Sequence, residues 1–197
     1  MEYEGRRKFF SFILFLILIG IIVAGILLLS NSSWLKNGAK RVEQNQPGLY
    51  TINRYVDGDT IDVNMNGSVE TIRFIGVDTP ETHKPNTPVQ CYGPEAAAHT
   101  KALISKFGKV RLQADPLDTN RDRYGRLLRY VYLPDGTLID EQIIQQGYGF
   151  AYLNFPFSKK DQFAADQQIA QTAKIGLWGA CQPTINQYGG YTSNNAN

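Results

Sequence analysis

The sequence predicts an α+β fold that is mainly β, with five strands and three helices behind an N-terminal transmembrane helix. Three observations carry this. Tyr50 to Val56, Asp59 to Met65 and Val69 to Val77 follow one another as strands, and Asn66-Gly67 between the last two is the strongest short hairpin signal. Helical patterns fall after the third strand and after the fifth. Phe9 to Leu29 is an apolar run, and about 20 such residues suffice to cross a bilayer. Periodicity alone leaves a five-stranded Greek-key barrel with helices at one side and a small α+β sandwich as equal arrangements.

Taken in order, residues 1–8 end in Arg6, Arg7 and Lys8, which by the positive-inside rule hold the N-terminus in the cytoplasm. Residues 9–29 read as an uncleaved signal anchor, because the run closes on Leu-Leu-Leu-Ser-Asn-Ser-Ser rather than on a small-x-small cleavage site. Residues 30–48, rich in Asn, Ser, Gln, Gly and Lys, read as a flexible tether. The folded domain, 49–181, is then expected on the extracytoplasmic side of the cell membrane. The chain of 197 residues has a net charge of +2, but 49–181 holds 14 Lys and Arg against 15 Asp and Glu. Global charge therefore gives no case for nucleic-acid binding, which has to rest on a local cluster.

Within the domain, the first strand presents Tyr50, Ile52 and Val56 on one face, and the central hairpin follows. Thr82 to Cys91 is a polar, proline-containing loop in which His83 reads as a solvated side chain. Pro94 opens the first helix, Glu95 complements its dipole, and Gly108 closes it after Phe107. Its apolar face is Ala97, Leu103, Ile104 and Phe107, with His99 at the surface. Lys109 to Ala114 and Arg129 to Leu133 are the fourth and fifth strands. Asp140 is expected to cap a helix reaching Gly147, and Tyr148 to Phe157 forms an aromatic loop. Ser158 with Asp161 resembles a capping box, opening a helix to Gly176 that Leu177 and Trp178 pack down. Residues 182–197 lack an apolar pattern and are expected to be disordered. Cys91 and Cys181, the two cysteines of a domain placed outside the cytoplasm, are expected to form a disulfide. Closing a loop of that length stabilises by roughly 4 to 5 kcal/mol in the chain-entropy account.

Val56 to Glu81 concentrates the chemistry. Asp57 and Asp59 flank a glycine before the second strand, Asp78, Thr79 and Glu81 follow the third, and antiparallel pairing brings these acidic ends to one sheet edge. Clustered carboxylates repel unless a cation sits among them, and hard oxygen donors select Ca²⁺ or Mg²⁺. Arg73 on the returning strand adds a guanidinium suited to phosphate. Alone, Asp-Gly-Asp-Thr reads as a turn and Arg73 as a surface strand residue. The twelve-residue order of an EF-hand is absent. Between the last two strands Arg121, Arg123 and Arg126 surround Tyr124, a local basic cluster able to contact phosphate and stack a base; Asp118 and Asp122 also permit a merely solvated loop.

Asp-Gly-Asp-Thr, Ile-Arg-Phe-Ile-Gly-Val-Asp-Thr-Pro-Glu-Thr, Tyr-Gly-Pro-Glu-Ala and Asp-Arg-Tyr-Gly-Arg, in this order, closely resemble the staphylococcal nuclease (thermonuclease) family from about Leu49 to Trp178. The resemblance implies an OB-fold barrel and a Ca²⁺-dependent endonuclease that hydrolyses DNA and RNA, leaving 3′-phosphates. It implies Asp59 and Asp78 as carboxylate ligands and Thr79 as a carbonyl ligand of Ca²⁺. Glu81 resembles the water-activating residue, and Arg73 and Arg126 the arginines that clamp the phosphate. Arg123 and Tyr124 match contacts to the terminal phosphate, and Tyr152 an aromatic packed at the nucleotide. Two positions depart from the pattern: Arg123 replaces a lysine, and Asn154 stands where a second stacking tyrosine is expected. A monomer without an obligate protein partner is expected. The contrasting reading is a non-catalytic module that binds nucleic acid or protein, as in nuclease-like domains that have lost catalytic residues; here the acidic ligands, the glutamate and both arginines are present.

Overall fold

A computed structural model describes residues 48–82 and 88–195. The N-terminus, the apolar run 9–29, the tether up to residue 47 and His83 lie outside the described residues. No helix among those described is long and apolar enough to cross a membrane.

In chain order the elements are β1 (Leu49–Asp57), β2 (Thr60–Met65), β3 (Ser68–Phe74), β4 (Val77–Asp78), α1 (Gly93–Ser105), β5 (Lys109–Gln113) and β6 (Leu127–Tyr132). There follow α2 (Ile139–Gln145), β7 (Phe150–Ala151), α3 (Lys160–Thr172), α4 (Leu177–Ala180), β8 (Thr184–Ile185) and β9 (Tyr191–Thr192). Five strands close into a barrel in the order β1-β2-β3-β6-β5, with β5 returning to β1. All neighbours are antiparallel except β3 and β6, so the barrel is the arrangement realised and the sandwich is not.

Local chemistry explains the closure. Asn66 and Gly67 both take positive φ, 50° and 86°, as the tight β2–β3 turn requires. Register shifts in β1 after Ile52 and after Tyr55 bend the strand around the barrel. They also move the inner face, so Tyr50, Ile52 and Tyr55 pack on the core where Val56 was expected. Ile61, Val63, Ile72, Phe74, Val110, Leu112, Leu127 and Val131 fill the interior. Ile139, Ile143 and Ile144 of α2 and Phe163 of α3 belong to the same cluster.

The helices depart from expectation in instructive ways. Asp140 does not cap α2: Leu138 holds that position, while Asp140 is fully buried and accepts the Val131 N–H at 2.9 Å. Its carboxyl serves the barrel strand and not the cap position. Ser158 forms no capping box either, because its N–H and hydroxyl both donate to Asp115, 43 residues upstream. Phe107 is exposed, whereas Ile104 is buried and Leu103 packs on the core as expected, with Gly93, Ala96 and Thr100 also buried. His99 is half-buried, stacked on Tyr148 with centroids 3.8 Å apart. A fourth, one-turn helix, α4, buries Leu177, and Trp178 meets Phe150 edge-on.

The expectation of a disordered tail is corrected for residues 182–195. β8 and β9 pair, Tyr191 packs on Trp178 and Phe150, and Ser193 is buried. The predicted disulfide, Cys91–Cys181, is formed.

Candidate active site

The β2–β3 register sets the site. Thr60 faces Arg73, which brings Asp59, at the mouth of the barrel, beside the end of β3. The Gly58 carbonyl in the preceding turn accepts the buried Thr100 hydroxyl at 2.6 Å, so α1 fixes the turn from behind. Beyond β3 the chain reverses at Gly76, whose φ is 71° and where a Cβ would stand 2.6 Å from the Phe157 ring. Only glycine fits both demands. The reversal lets Val77–Asp78 pair with Phe150–Ala151, presenting Asp78 and Thr79 to Asp59.

Arg73 joins the two carboxylates. Its guanidinium lies 3.2 Å from Asp59 and 2.9 Å from Asp78, and also donates to the Val77 carbonyl at 2.7 Å. Burial works against its charge, yet Asp59 and Asp78 outweigh that and hold its pKa above the ordinary arginine value. Asp59 is nearly fully buried, and its Oδ2 also accepts the Thr79 N–H at 2.8 Å and hydroxyl at 3.0 Å. Arg73, Asp59, Asp78 and Thr79 are therefore one connected unit.

Acidic charge exceeds what Arg73 can neutralise. Loss of hydration, with Asp59 and Glu81 nearby, pushes Asp57 up to about 6. Asp78 also rises to about 6: lost hydration raises it most, Arg73 opposes, and Asp59, Glu81 and Asp57 add to the rise. Among the described residues no group of three or more His, Cys, Asp or Glu side chains is placed to hold a metal together. Asp59 and Asp78, both within 3.2 Å of the Arg73 guanidinium, are nonetheless hard oxygen donors of a kind that Ca²⁺ accepts with water completing the shell. Carboxylates in excess of what Arg73 pairs with, kept from full hydration, fit such a cation.

The arginine loop reaches the same end of the barrel. Asp122 accepts the Arg126 Nε–H at 2.7 Å through one oxygen and its backbone N–H at 3.0 Å through the other. Asp122 and Tyr152 are both close enough for their charges to act on Arg73. Arg123 and Arg126 stand over the exposed Tyr124 ring, 4.9 and 5.4 Å from its centroid, and Arg123 donates to the Tyr124 hydroxyl. Arg121 is different: it donates to Glu70 and to the Gly125 carbonyl, tying the loop to β3. Tyr152 is half-buried against the exposed Phe155, centroids 5.7 Å apart, with Asn154 exposed between them.

Thus Asp59, Arg73, Asp78, Thr79 and Glu81 converge, and Arg123, Tyr124, Arg126 and Tyr152 flank them. Sequence reasoning counted Asp122 as a charge balance and missed its role in orienting Arg126. It also missed what roots the loop. Asp115 accepts from the Tyr130 hydroxyl at 2.6 Å and from the amides of Ser158 and Leu117, both at 2.7 Å. The buried Arg129 donates to the Asn120 side chain at 2.8 Å. An arginine inside a strand pattern was the available signal for the second; nothing local marked the first.

Comparison with known proteins agrees with this geometry. The family described as "Staphylococcal nuclease homologue" matches residues 71–180. The chain is 46% identical over 130 residues to the SPbeta prophage-derived endonuclease YokF of Bacillus subtilis (strain 168), covering 65% of this chain and 43% of that protein. It is 45% identical over 130 residues to endonuclease YncB of the same organism, covering 60% of that protein. To the thermonuclease of Staphylococcus hyicus it is 38% identical over 162 residues, covering 80% of this chain and 94% of that one. The matched stretch thus spans less than two thirds of the two Bacillus relatives.

Proposed function

The chain belongs to the staphylococcal nuclease family, and on that premise we propose that it is a Ca²⁺-dependent endonuclease acting on DNA and RNA from the extracytoplasmic face of the membrane. The observation that carries this reading is the unit in which Arg73 bridges Asp59 and Asp78 beside Glu81, with Arg126 held by Asp122 at the same barrel end. The disulfide suits an oxidising compartment, and the apolar run with its basic flank suits an anchor.

Asp59, Asp78 and the Thr79 carbonyl would hold the Ca²⁺, which when bound supplies positive charge against the scissile phosphate. Arg73 and Arg126 offer donors to the non-bridging phosphate oxygens, where negative charge grows as a fifth oxygen joins phosphorus. Glu81 takes the proton from the attacking water. Water oxygen bonds to phosphorus, the bond to the 5′ oxygen breaks, the 5′ oxygen gains a proton, and the phosphate stays on the 3′ side. Tyr124, Arg123 and Tyr152 hold the nucleotide by stacking and charge.

Digestion of single- and double-stranded DNA and RNA by the full chain, with Ca²⁺, Mg²⁺ or a chelator, tests this. Cleavage with Ca²⁺ to 3′-phosphate ends, abolished by chelator, is expected. Cleavage that ignores the chelator, or 5′-phosphate ends, would contradict it.

A further inference from the structure

Glu81 sits just beyond β4 in a strip that has no barrel partner of its own. Its upstream side is fixed by Asp59, which takes the Thr79 N–H and hydroxyl. Downstream, the Thr82 hydroxyl donates to Asp57 at 2.9 Å. The Glu81 carboxylate accepts the Thr82 N–H at 3.1 Å, and the Glu81 main chain is held by Gln90. The Gln90 Oε1 accepts the Glu81 N–H at 2.8 Å, and the Gln90 N–H donates to the Glu81 carbonyl at 2.9 Å. Only one orientation of the Gln90 amide serves, because the Glu81 N–H can donate and cannot accept. That orientation leaves Nε2 facing Thr192, whose hydroxyl it meets at 3.2 Å.

Thr192 belongs to the C-terminal hairpin, and the hairpin is attached to this corner at several points. Gln90 bridges Asn195 as a β-partner, the Cys91 N–H donates to the Asn194 carbonyl at 2.7 Å, and the buried Ser193 hydroxyl donates to the Cys91 carbonyl at 2.8 Å. The disulfide from Cys91 to Cys181 secures the same corner to the end of α4. Tyr191 packs against Trp178 and Phe150, the latter in β7 beside Asp78. A polar, glycine- and asparagine-rich segment has no need to form these bonds for solubility. Here they hold the main chain of Gln90 and Cys91, and one bond, from Nε2 to Thr192, reaches the side chain that receives the Glu81 amide.

We propose that Gln90 is a positioning residue for Glu81, and that residues 182–195 act as a brace that holds Gln90 in its working orientation. This rests on the reading of Glu81 as the group that activates water. A general base must stand within hydrogen-bond reach of the attacking water, and an error near 1 Å in such a group costs rate steeply. Gln90 touches the Glu81 main chain and not the reacting atoms, so its effect belongs in kcat.

Steady-state kinetics of the full chain test the proposal with Gln90→Leu, Gln90→Glu, Thr192→Val and Glu81→Gln, and with Gln90→Leu combined with Glu81→Gln. Gln90→Leu is expected to lower kcat by about 10- to 100-fold while KM and the half-activating Ca²⁺ concentration stay within about 2-fold. Gln90→Glu retains an oxygen for the Glu81 N–H and should restore most of that loss. Thr192→Val frees the far end of the amide and should cost about 2- to 5-fold in kcat. In the Glu81→Gln background Gln90→Leu should have no further effect, because a misplaced group that no longer acts as base has little left to lose. Urea midpoints measured with the disulfide intact verify folding, and Thr192→Val carries the test should Gln90→Leu not fold.

The proposal is overturned if Gln90→Leu keeps kcat within 2-fold, if Gln90→Glu is as damaging as Gln90→Leu, or if the two changes multiply in the double variant. Should Glu81→Gln itself keep a near-wild-type rate, the base assignment fails and the proposal fails with it. Failure of the positioning role alone shows instead as a crippled Glu81→Gln beside an unaffected Gln90→Leu, and failure of the brace alone as an unaffected Thr192→Val beside a crippled Gln90→Leu.

Discussion

The carboxylate edge and the arginine loop face the same site but are held by different means. Arg73 belongs to the hydrogen-bonded β2–β3 pair, Asp59 directly precedes β2 and takes the Phe74 N–H on its carbonyl, and Asp78 is fixed by pairing with β7. The Asp115–Arg126 loop has main-chain links to β6 at Asn120 and Arg121, and beyond these is held by side chains: Asp115 to Ser158 just before α3, Arg129 to Asn120, Arg121 to Glu70 and Asp122 to Arg126. Tyr124 and Arg123 at its tip are exposed. The charges proposed to meet phosphorus thus rest on strands or on a carboxylate clamp, while Arg123 and Tyr124, proposed to meet the nucleotide, are exposed at the loop tip. Damage to the edge should appear in kcat and in the metal requirement. Damage to the loop tip should appear in KM.

The largest effect should come from the groups assigned to the reacting phosphate. Glu81→Gln and Arg126→Ala should each lower kcat by about 10²- to 10³-fold with far smaller changes in KM. Steady-state kinetics on both verify it, and near-wild-type rates for both would remove the proposed site while leaving the fold intact. Arg126 also shows that the division runs by role rather than by sequence segment, since it lies in the loop yet is clamped toward the edge.

An intermediate effect is expected at the root of the loop. Asp115→Ala strips an acceptor from the buried Tyr130 hydroxyl and from two amides, so stability should fall by about 2 to 4 kcal/mol in urea unfolding. KM should rise more than kcat falls, because the loop tip loses its footing before the edge does. A variant that loses kcat alone would show that the loop root supports the chemistry directly.

The smallest effect, and one confined to the barrel side, concerns Asp140. Burial pushes its carboxyl up to about 8, with the Val131 amide opposing. Its folded-state pKa lies above the unfolded value, so the folded protein binds this proton more tightly. Its stabilising contribution is present at low pH and is lost as pH rises from about 4 to about 8. Asp140→Asn keeps an oxygen for Val131 without the charge, and should raise stability at pH 9 by at least about 1 kcal/mol more than it does at pH 5. Urea unfolding across that range measures it; an equal shift at both pH values would show packing rather than ionisation at work.

What the sequence made legible follows the same division. The barrel strands could be read because alternation and the Asn66-Gly67 turn are local signals, and the acidic edge followed from antiparallel pairing alone. The Cys91–Cys181 pairing followed from having two cysteines in a domain expected outside the cytoplasm. The devices that hold the loop were not legible, since Asp115 and Ser158 are 43 residues apart and Ser193 and Cys91 are 102 apart. Asp140 and Ser158 misled for a related reason: both are helix-capping residue types near helix starts, but a distant partner claims each side chain. The C-terminal hairpin was hidden by its polar composition. Tyr191, its anchor on Trp178, is a single aromatic in a segment with no periodicity.

The half-activating Ca²⁺ concentration, measured for the full wild-type chain, Asp59→Asn and Arg123→Ala on one DNA substrate, tests the division most directly. Asp59→Asn retains an acceptor for the Thr79 amide but loses a charged ligand, so half-activation should move up by at least about 10-fold, with the rate partly recovered at high Ca²⁺. Arg123→Ala should leave half-activation within about 2-fold while raising KM. An unchanged Ca²⁺ requirement in Asp59→Asn, or equal shifts in both variants, would contradict the account.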